Sequence, residues 1–263
     1  MKSYGDGTAR MREQRFRPQA AALAAAAMLA VAPLAQPADQ QTNEFWPELN
    51  ATVRIDDQSR LFLLGTLARA RDYASATEAT WGIHYDWFAA RLPERWVRAL
   101  PEMEHRWGLW FRFGYNRVNA LNGSGSNENR LLAEATLRSE PLFWGLQFAD
   151  RNRIEYRDIA DRDSWRYRNR VRVERAFNTG EPGEEWLSAP LASMGLASFV
   201  PYAMLEWFYD SHLSGWNRRY LQVGVEFELE RGWGLELYLA RQNETRPANS
   251  TVHALGTVIV WRF

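Results

Sequence analysis

The chain has 263 residues, 46% hydrophobic and 14% aromatic, with 32 Lys and Arg against 32 Asp and Glu and no cysteine. Mean hydropathy is -0.47, and past the N-terminal region no stretch approaches the ~20 apolar residues that a spanning helix requires, which excludes a helical membrane protein. The missing cysteines exclude disulfides, thiol catalysis and Cys-type metal sites, and the balanced charge argues against a nucleic-acid partner, which needs a basic face.

Low hydropathy together with 13 Trp fits a transmembrane β-barrel. There the polar lumen and the apolar lipid face average out, and interfacial girdles add aromatic residues.

Residues 1–38 read as a cleaved secretory signal. Arg10, Arg12, Arg15 and Arg17 precede an apolar run over 20–32, with small-residue cleavage candidates near Ala35 and Ala38. Removing 1–38 takes away five cations (Lys2 and Arg10, Arg12, Arg15, Arg17) and two anions (Asp6, Glu13), leaving 27 against 30. Residues 39–263 read as one barrel domain.

The remainder is a series of alternating segments separated by turn chemistry. Strands are predicted over 45–55, 60–71, 79–90, 107–117, 129–139, 142–156, 164–177, 199–210, 216–229, 232–243 and 250–263. In 107–115, Trp107, Leu109, Phe111, Phe113 and Tyr115 share one face; in 233–242, Trp233, Leu235, Leu237 and Leu239 do. Segments of ~9–11 residues suit a tilted membrane crossing better than the ~5–6 of soluble sheets. The last segment ends on Phe263, an aromatic strand end of the kind that barrel-assembly machinery reads in outer-membrane proteins. Residues 92–104 carry Leu92, Trp96, Val97, Leu100 and Met103 at helical spacing, and 181–197 is a Pro/Gly-bearing insert.

Counting back from a periplasmic C-terminus puts the tight connections Glu230-Arg231-Gly232, Glu140-Pro141 and Asp56-Asp57-Gln58-Ser59 on the periplasmic side, with the polar stretches 119–127, 157–163, 211–215 and 244–249 outside. Eleven segments conflict with the even strand number of single-chain bacterial barrels. The expectation is therefore an antiparallel up-and-down barrel of ten to twelve strands, with 45–55 a plug beside ten strands or a twelfth strand concealed.

The segment 165–174, WRYRNRVRVE, projects Arg166, Arg168, Arg170, Arg172 and Glu174 from one face. Arg at the centre of a lipid face costs ~2–4 kcal/mol, so this face is lumenal. Carboxylates to neutralise it stand in phase at Glu206, Glu226, Glu228 and Glu236, with Arg112 and Glu134 on neighbouring strands. Arg151, Arg153 and Glu155 share that phase; Asp150 and Asn152 then point outward, and a bulge or the membrane edge is expected there.

Catalytic arrangements are thin. Asp210-Ser211-His212 cannot form a triad within one strand, because neighbours point to opposite faces; a rim turn is expected. His84 and Asp86 share a face as an interior pair or a lumenal dyad, and His105 and His253 have no partner. No His-x-His, calcium loop or phosphate loop is present, and neither cofactor nor metal is expected.

Several stretches together resemble domain of unknown function 2490, a bacterial family of predicted outer-membrane β-barrels. They are Phe45-Trp46-Pro47-Glu48, Asn127-Glu128-Asn129-Arg130, the Arg-rich 165–174, Tyr202 to Asp210 with Glu206 inward, Trp216-Asn217-Arg218-Arg219-Tyr220, and Val252-His253-Ala254-Leu255-Gly256. The likeness spans most of 45–263. It departs from the pattern in the two long inserts and at Glu206-Trp207, where an Asp-Glu pair is commoner. It implies an outer-membrane barrel among lipid and no catalytic residues. The expected role is structural or that of a narrow pore with a charge-networked lumen. The alternatives are a lipid-acting acyl hydrolase or transferase using His84 or His212, and a soluble periplasmic β-sandwich or lipocalin-like binder.

Overall fold

The computed structural model describes residues 40–70, 76–89, 107–121, 126–160, 162–178, 195–246 and 249–263. The signal over 1–38, the helical spacing at 92–104 and most of the insert 181–197 lie outside them.

Eleven long strands answer to the eleven predicted segments: β1 (Gln40–Arg54), β2 (Ser59–Ala70), β3 (Glu78–Ala89), β4 (Trp107–Ala120), β5 (Glu128–Ser139), β6 (Leu146–Ile159), β7 (Arg162–Arg175), β9 (Leu196–Asp210), β10 (Gly215–Leu229), β11 (Trp233–Glu244) and β12 (Ser250–Arg262). A two-residue strand, β8 (Phe177–Asn178), continues past β7 along β9. Among the described residues the only helical turns are two short 3-10 turns, Phe143–Gly145 and Glu230–Gly232.

Each long strand pairs with the next in sequence, and β1 closes the barrel on β12. Consecutive pairings are antiparallel, whereas β1 runs parallel to β12, from Gln40 beside Ser250 to Thr52 beside Arg262. The expected all-antiparallel barrel is thus corrected to a closed, mixed one, and its eleven strands fall within the expected ten to twelve. In an up-and-down meander of odd number the first and last strands point the same way, so the seam must be parallel. Residues 45–55 are wall, neither a plug nor the partner of a twelfth strand. The β1–β2 register is interrupted at Trp46 and Pro47, where proline has no N–H to give the ladder.

The short connections 55–58, 140–145 and 230–232 lie at one rim with Phe263, and Gln40 lies at the other. Trp144 and Gly145 have φ of 61° and 70°, and Arg231 and Gly232 have 63° and 80°. Two successive left-handed residues match the twist of the flanking strands, as in a type I′ hairpin turn. The β5–β6 turn is therefore centred on Trp144-Gly145, four residues beyond the predicted Glu140-Pro141, and β6 starts at Leu146.

Alternation sorts side chains to two faces. On the outside, Leu49, Leu63, Ile83, Leu131, Val171, Leu237, Leu239, Leu255 and Ile259 are exposed. Aromatic pairs stand above and below them. Toward the Phe263 rim are Trp87–Phe111, Phe177–Phe199, Trp233–Trp261 and Trp261–Phe263; toward the other are Trp81–Tyr115, Tyr156–Trp165, Tyr167–Trp216 and Tyr209–Trp216. Strands of 12 to 15 residues, at ~3.3 Å per residue and ~40° tilt, span ~30–38 Å.

On the inside, rings lie flat over glycines of the neighbouring strand. The His84 ring covers Gly114 and the Tyr238 ring covers Gly256, each occupying the space a Cβ would need. Gly256→Val is expected to drive Tyr238 off β12 and to cost about 1–3 kcal/mol, read as a lower denaturant midpoint.

Candidate functional site

The lumen divides into a charged wall and an aromatic wall. The charged wall is set by β5, β6 and β7, whose inward positions are mostly Arg or Glu, with Glu206 and Asp210 added from β9. Register then decides the partners: Glu134 stands opposite Arg153, and Arg170 opposite Glu206.

Glu206 is the hub. Its carboxylate accepts from Arg151 Nη2 at 2.8 Å, Arg168 Nε at 2.9 Å and Arg170 Nη2 at 2.9 Å, and the residue is 1% exposed. A second hub, Glu155, is fully buried and takes Arg168 Nη1 at 2.9 Å, Arg153 Nη1 at 3.4 Å and Arg166 Nη1 at 3.6 Å. Glu134 receives Arg153 Nε at 2.7 Å, with Arg151 at 3.6 Å. The chain of pairs continues through Arg166 to Asp210 at 3.6 Å, through Arg157 Nη1 to Asp210 at 2.6 Å, and from Arg157 to Glu128, which also holds Arg130 at 2.6 Å.

The other predicted residues occupy the wall toward the Phe263 rim or stand apart from the hubs. Arg172 donates to Glu226 at 2.6 Å and pairs with Glu174, which also takes Arg138. Glu228 meets Arg262 at 3.4 Å and accepts from the Ser198 hydroxyl at 3.1 Å. Arg112 joins a separate centre: with Arg60 it brackets Asp86, Arg112 Nε at 2.6 Å and Arg60 Nε at 2.8 Å. Glu236 belongs to the opposite wall.

That wall holds Tyr202, Met204, Phe208, Tyr220, Tyr238, Ala240, Ala254 and Val258, with Trp46 and Val260 packed against them. Glu236 accepts from the Tyr202 hydroxyl and from Gln222 Nε2 at 2.9 Å. Gln222 in turn accepts from the Tyr220 hydroxyl at 2.6 Å. Glu48 accepts from Asn50 at 2.6 Å, and the arginines nearest Glu48 and Glu236 act on them across the lumen and not through a hydrogen bond. The two walls meet through guanidinium groups on rings: Arg172 over Tyr202 at 3.9 Å and Arg168 over Phe208 at 4.6 Å.

His84 and Asp86 both point into the lumen, yet they do not pair. His84 Nε2 lies 2.7 Å from Asn116 Oδ1 and its ring stacks on Phe62, while Asp86 is spent on two arginines. Residues 211–214 form a turn at the rim. The Ser211 hydroxyl accepts from the Trp165 amide at 2.8 Å, and Asp210 faces inward to Arg157. His253 lies on the outer side beside Arg241.

The segment 146–159 contains no bulge. Its register with β5 and β7 is continuous, so Asp150 and Asn152 do face outward, correcting the expected bulge. Asp86, Glu128, Arg157 and Asp210 were missed as network members. Their phase was the available signal, since each stands an even number of residues from a recognised inward position on its own strand.

No family model matches the chain, and no curated protein matches it either.

Chemically, the lumen is a neutralised packing. Burying a charge is tolerated when it is paired and hydrogen-bonded; Glu206 is hydrogen-bonded through both oxygens, and Glu155 through Oε1, with Arg166 standing 3.6 Å from its Oε2. With Glu155, Glu206, His84 and Asp86 at 2% exposure or less, side chains fill the middle of the barrel.

Proposed function

We infer that this protein is an outer-membrane β-barrel whose lumen is shut by its own ion-pair network, acting as a structural barrel and not as an open pore. The observation carrying this reading is the outer face: an aliphatic belt bounded on both sides by aromatic pairs. Such a face exposed to water would be a very large apolar patch for a monomer, whereas in lipid it is the expected surface. The charged start and apolar run within 1–38, the aromatic strand end and the likeness to domain of unknown function 2490 support export to that membrane and assembly through the C-terminal strand.

The closed lumen follows from the same logic applied inside. An open water-filled channel leaves lumenal charges solvated, whereas here the guanidinium groups of Arg151, Arg153, Arg166 and Arg168 are at 15% side-chain exposure or less. In this reading Phe263 lies at the periplasmic rim and Gln40 at the outer one.

The test has two arms. The protein is expected in the outer-membrane fraction with heat-modifiable migration on gels; recovery as a soluble periplasmic protein would overturn the membrane reading. In planar bilayers the wild type is expected to give no stable conductance steps. Steady ion-selective current from the wild type would instead establish the narrow pore.

A further inference from the structure

Among the described residues, the outer wall carries a polar cluster at the mid-height of β6 and β7. Asn152 is the seventh residue of the 14 in β6 and Asn169 the eighth of the 14 in β7, so both sit at mid-height. Asn169 Nδ2 donates to Asp150 Oδ1 at 2.7 Å and to Asn152 Oδ1 at 3.2 Å; Asn152 Nδ2 donates to Asp150 Oδ2 at 3.0 Å; the Tyr167 hydroxyl donates to Asn152 Oδ1. All four residues are half-buried. Beside them on β5 the outward positions are small, Ala133 and Ala135, with Ala135 directly opposite Asn152.

In water such a cluster needs no explanation. In hydrocarbon, polar groups are expensive unless their donors and acceptors are met, and this one is incompletely met by itself. Asp150 accepts two bonds where a carboxylate offers about four sites, and an amide has two N–H donors, of which Asn152 uses one. The patch therefore offers a spare donor and spare acceptors at one depth.

We propose that the outer face of β5, β6 and β7 is a self-association surface, on which a second copy of this chain seats its own Asp150–Asn152–Asn169 patch. The inference rests on the membrane reading above. A second copy is the occupant because every copy inserts in the same direction, so a twofold axis along the barrel brings each patch to its image at the same depth. A patch holding both donor and acceptor is then self-complementary, as an isologous contact requires. The small Ala133 and Ala135 let the two walls approach.

The cysteine-free chain allows a direct test. Ala135→Cys, and as control Leu255→Cys on the far side of the barrel, are placed singly and oxidised in outer-membrane vesicles. A135C is expected to give a disulfide-linked dimer at least tenfold more than L255C, and Asp150→Leu or Asn169→Leu added to A135C is expected to abolish that excess while heat-modifiable migration persists. A folded outer-membrane barrel in which A135C cross-links no better than L255C, or in which D150L and N169L leave the dimer unchanged, overturns the proposal alone. Recovery as a soluble protein overturns it together with the membrane reading.

Discussion

Glu206→Ala is expected to lower the unfolding free energy by about 3–5 kcal/mol, the cost of breaking a buried pair by removing one partner. The reason is multiplicity. Arg151, Arg168 and Arg170 all place a guanidinium nitrogen within 3 Å of this one carboxylate. Removing it leaves three like charges facing one another with little solvent to screen them. Arg168 keeps Glu155, but Arg170 has no second carboxylate among the described ion pairs. Glu206→Gln retains shape and acceptor geometry while losing charge, and should fall between wild type and Ala. The comparison is Asp57→Ala, which breaks the Arg54–Asp57 pair at the rim, where the side chains are 68% and 92% exposed; a change within about 0.5 kcal/mol is expected there. Equilibrium urea unfolding of the three variants in one vesicle preparation measures the series. A Glu206→Ala effect as small as that of Asp57→Ala would mean a hydrated, slack lumen and would remove the argument for closure.

With the outer face in lipid, as proposed, Leu239→Arg is expected to cost about 2–4 kcal/mol, the depth-dependent penalty for a guanidinium near the midplane. Leu239 is the seventh of 12 residues in β11 and is 61% exposed, with Leu255 opposite it on β12. On a water-exposed sheet the same change would be close to neutral, since surface substitutions away from special features usually stay within about 0.5 kcal/mol. The same substitution at Leu121, 51% exposed beyond the end of β4, should cost only about 0–1 kcal/mol because it lies near the interface. Unfolding free energies in vesicles give the difference between the two sites. Two equal and near-zero values would contradict a membrane-embedded outer face independently of any fractionation result.

These expectations depend on different ranges of interaction, and so did their legibility. Strand positions could be read because alternation is local: a residue's face follows from its neighbours two places away. That is why Arg166, Arg168, Arg170, Arg172 and Glu206 could be assigned inward before any pairing was known. It is also why the outward phase of Asp150 and Asn152 could be read, although it was expected to break. The β5–β6 turn was misplaced because Glu140-Pro141 is the stronger local signal, while the actual bend falls on Trp144-Gly145, a Trp held at positive φ.

Partners are a different matter. Which arginine meets which carboxylate depends on the register of each ladder and on the closure of the whole barrel, sums over every turn in the chain. Glu206 lies 55 residues from Arg151 and 38 from Arg168, and Arg112, which stands opposite both Asp86 and Glu134, pairs with Asp86. The parallel seam is likewise a property of the closed circle, since oddness has no consequence until the first strand meets the last. Side-chain phase was thus carried by neighbours along the chain. The patch of Asp150, Asn152 and Asn169 needed only the register of one hairpin, β6–β7, whereas the hub at Glu206 and the β1–β12 seam exist only because strands distant in sequence were brought edge to edge.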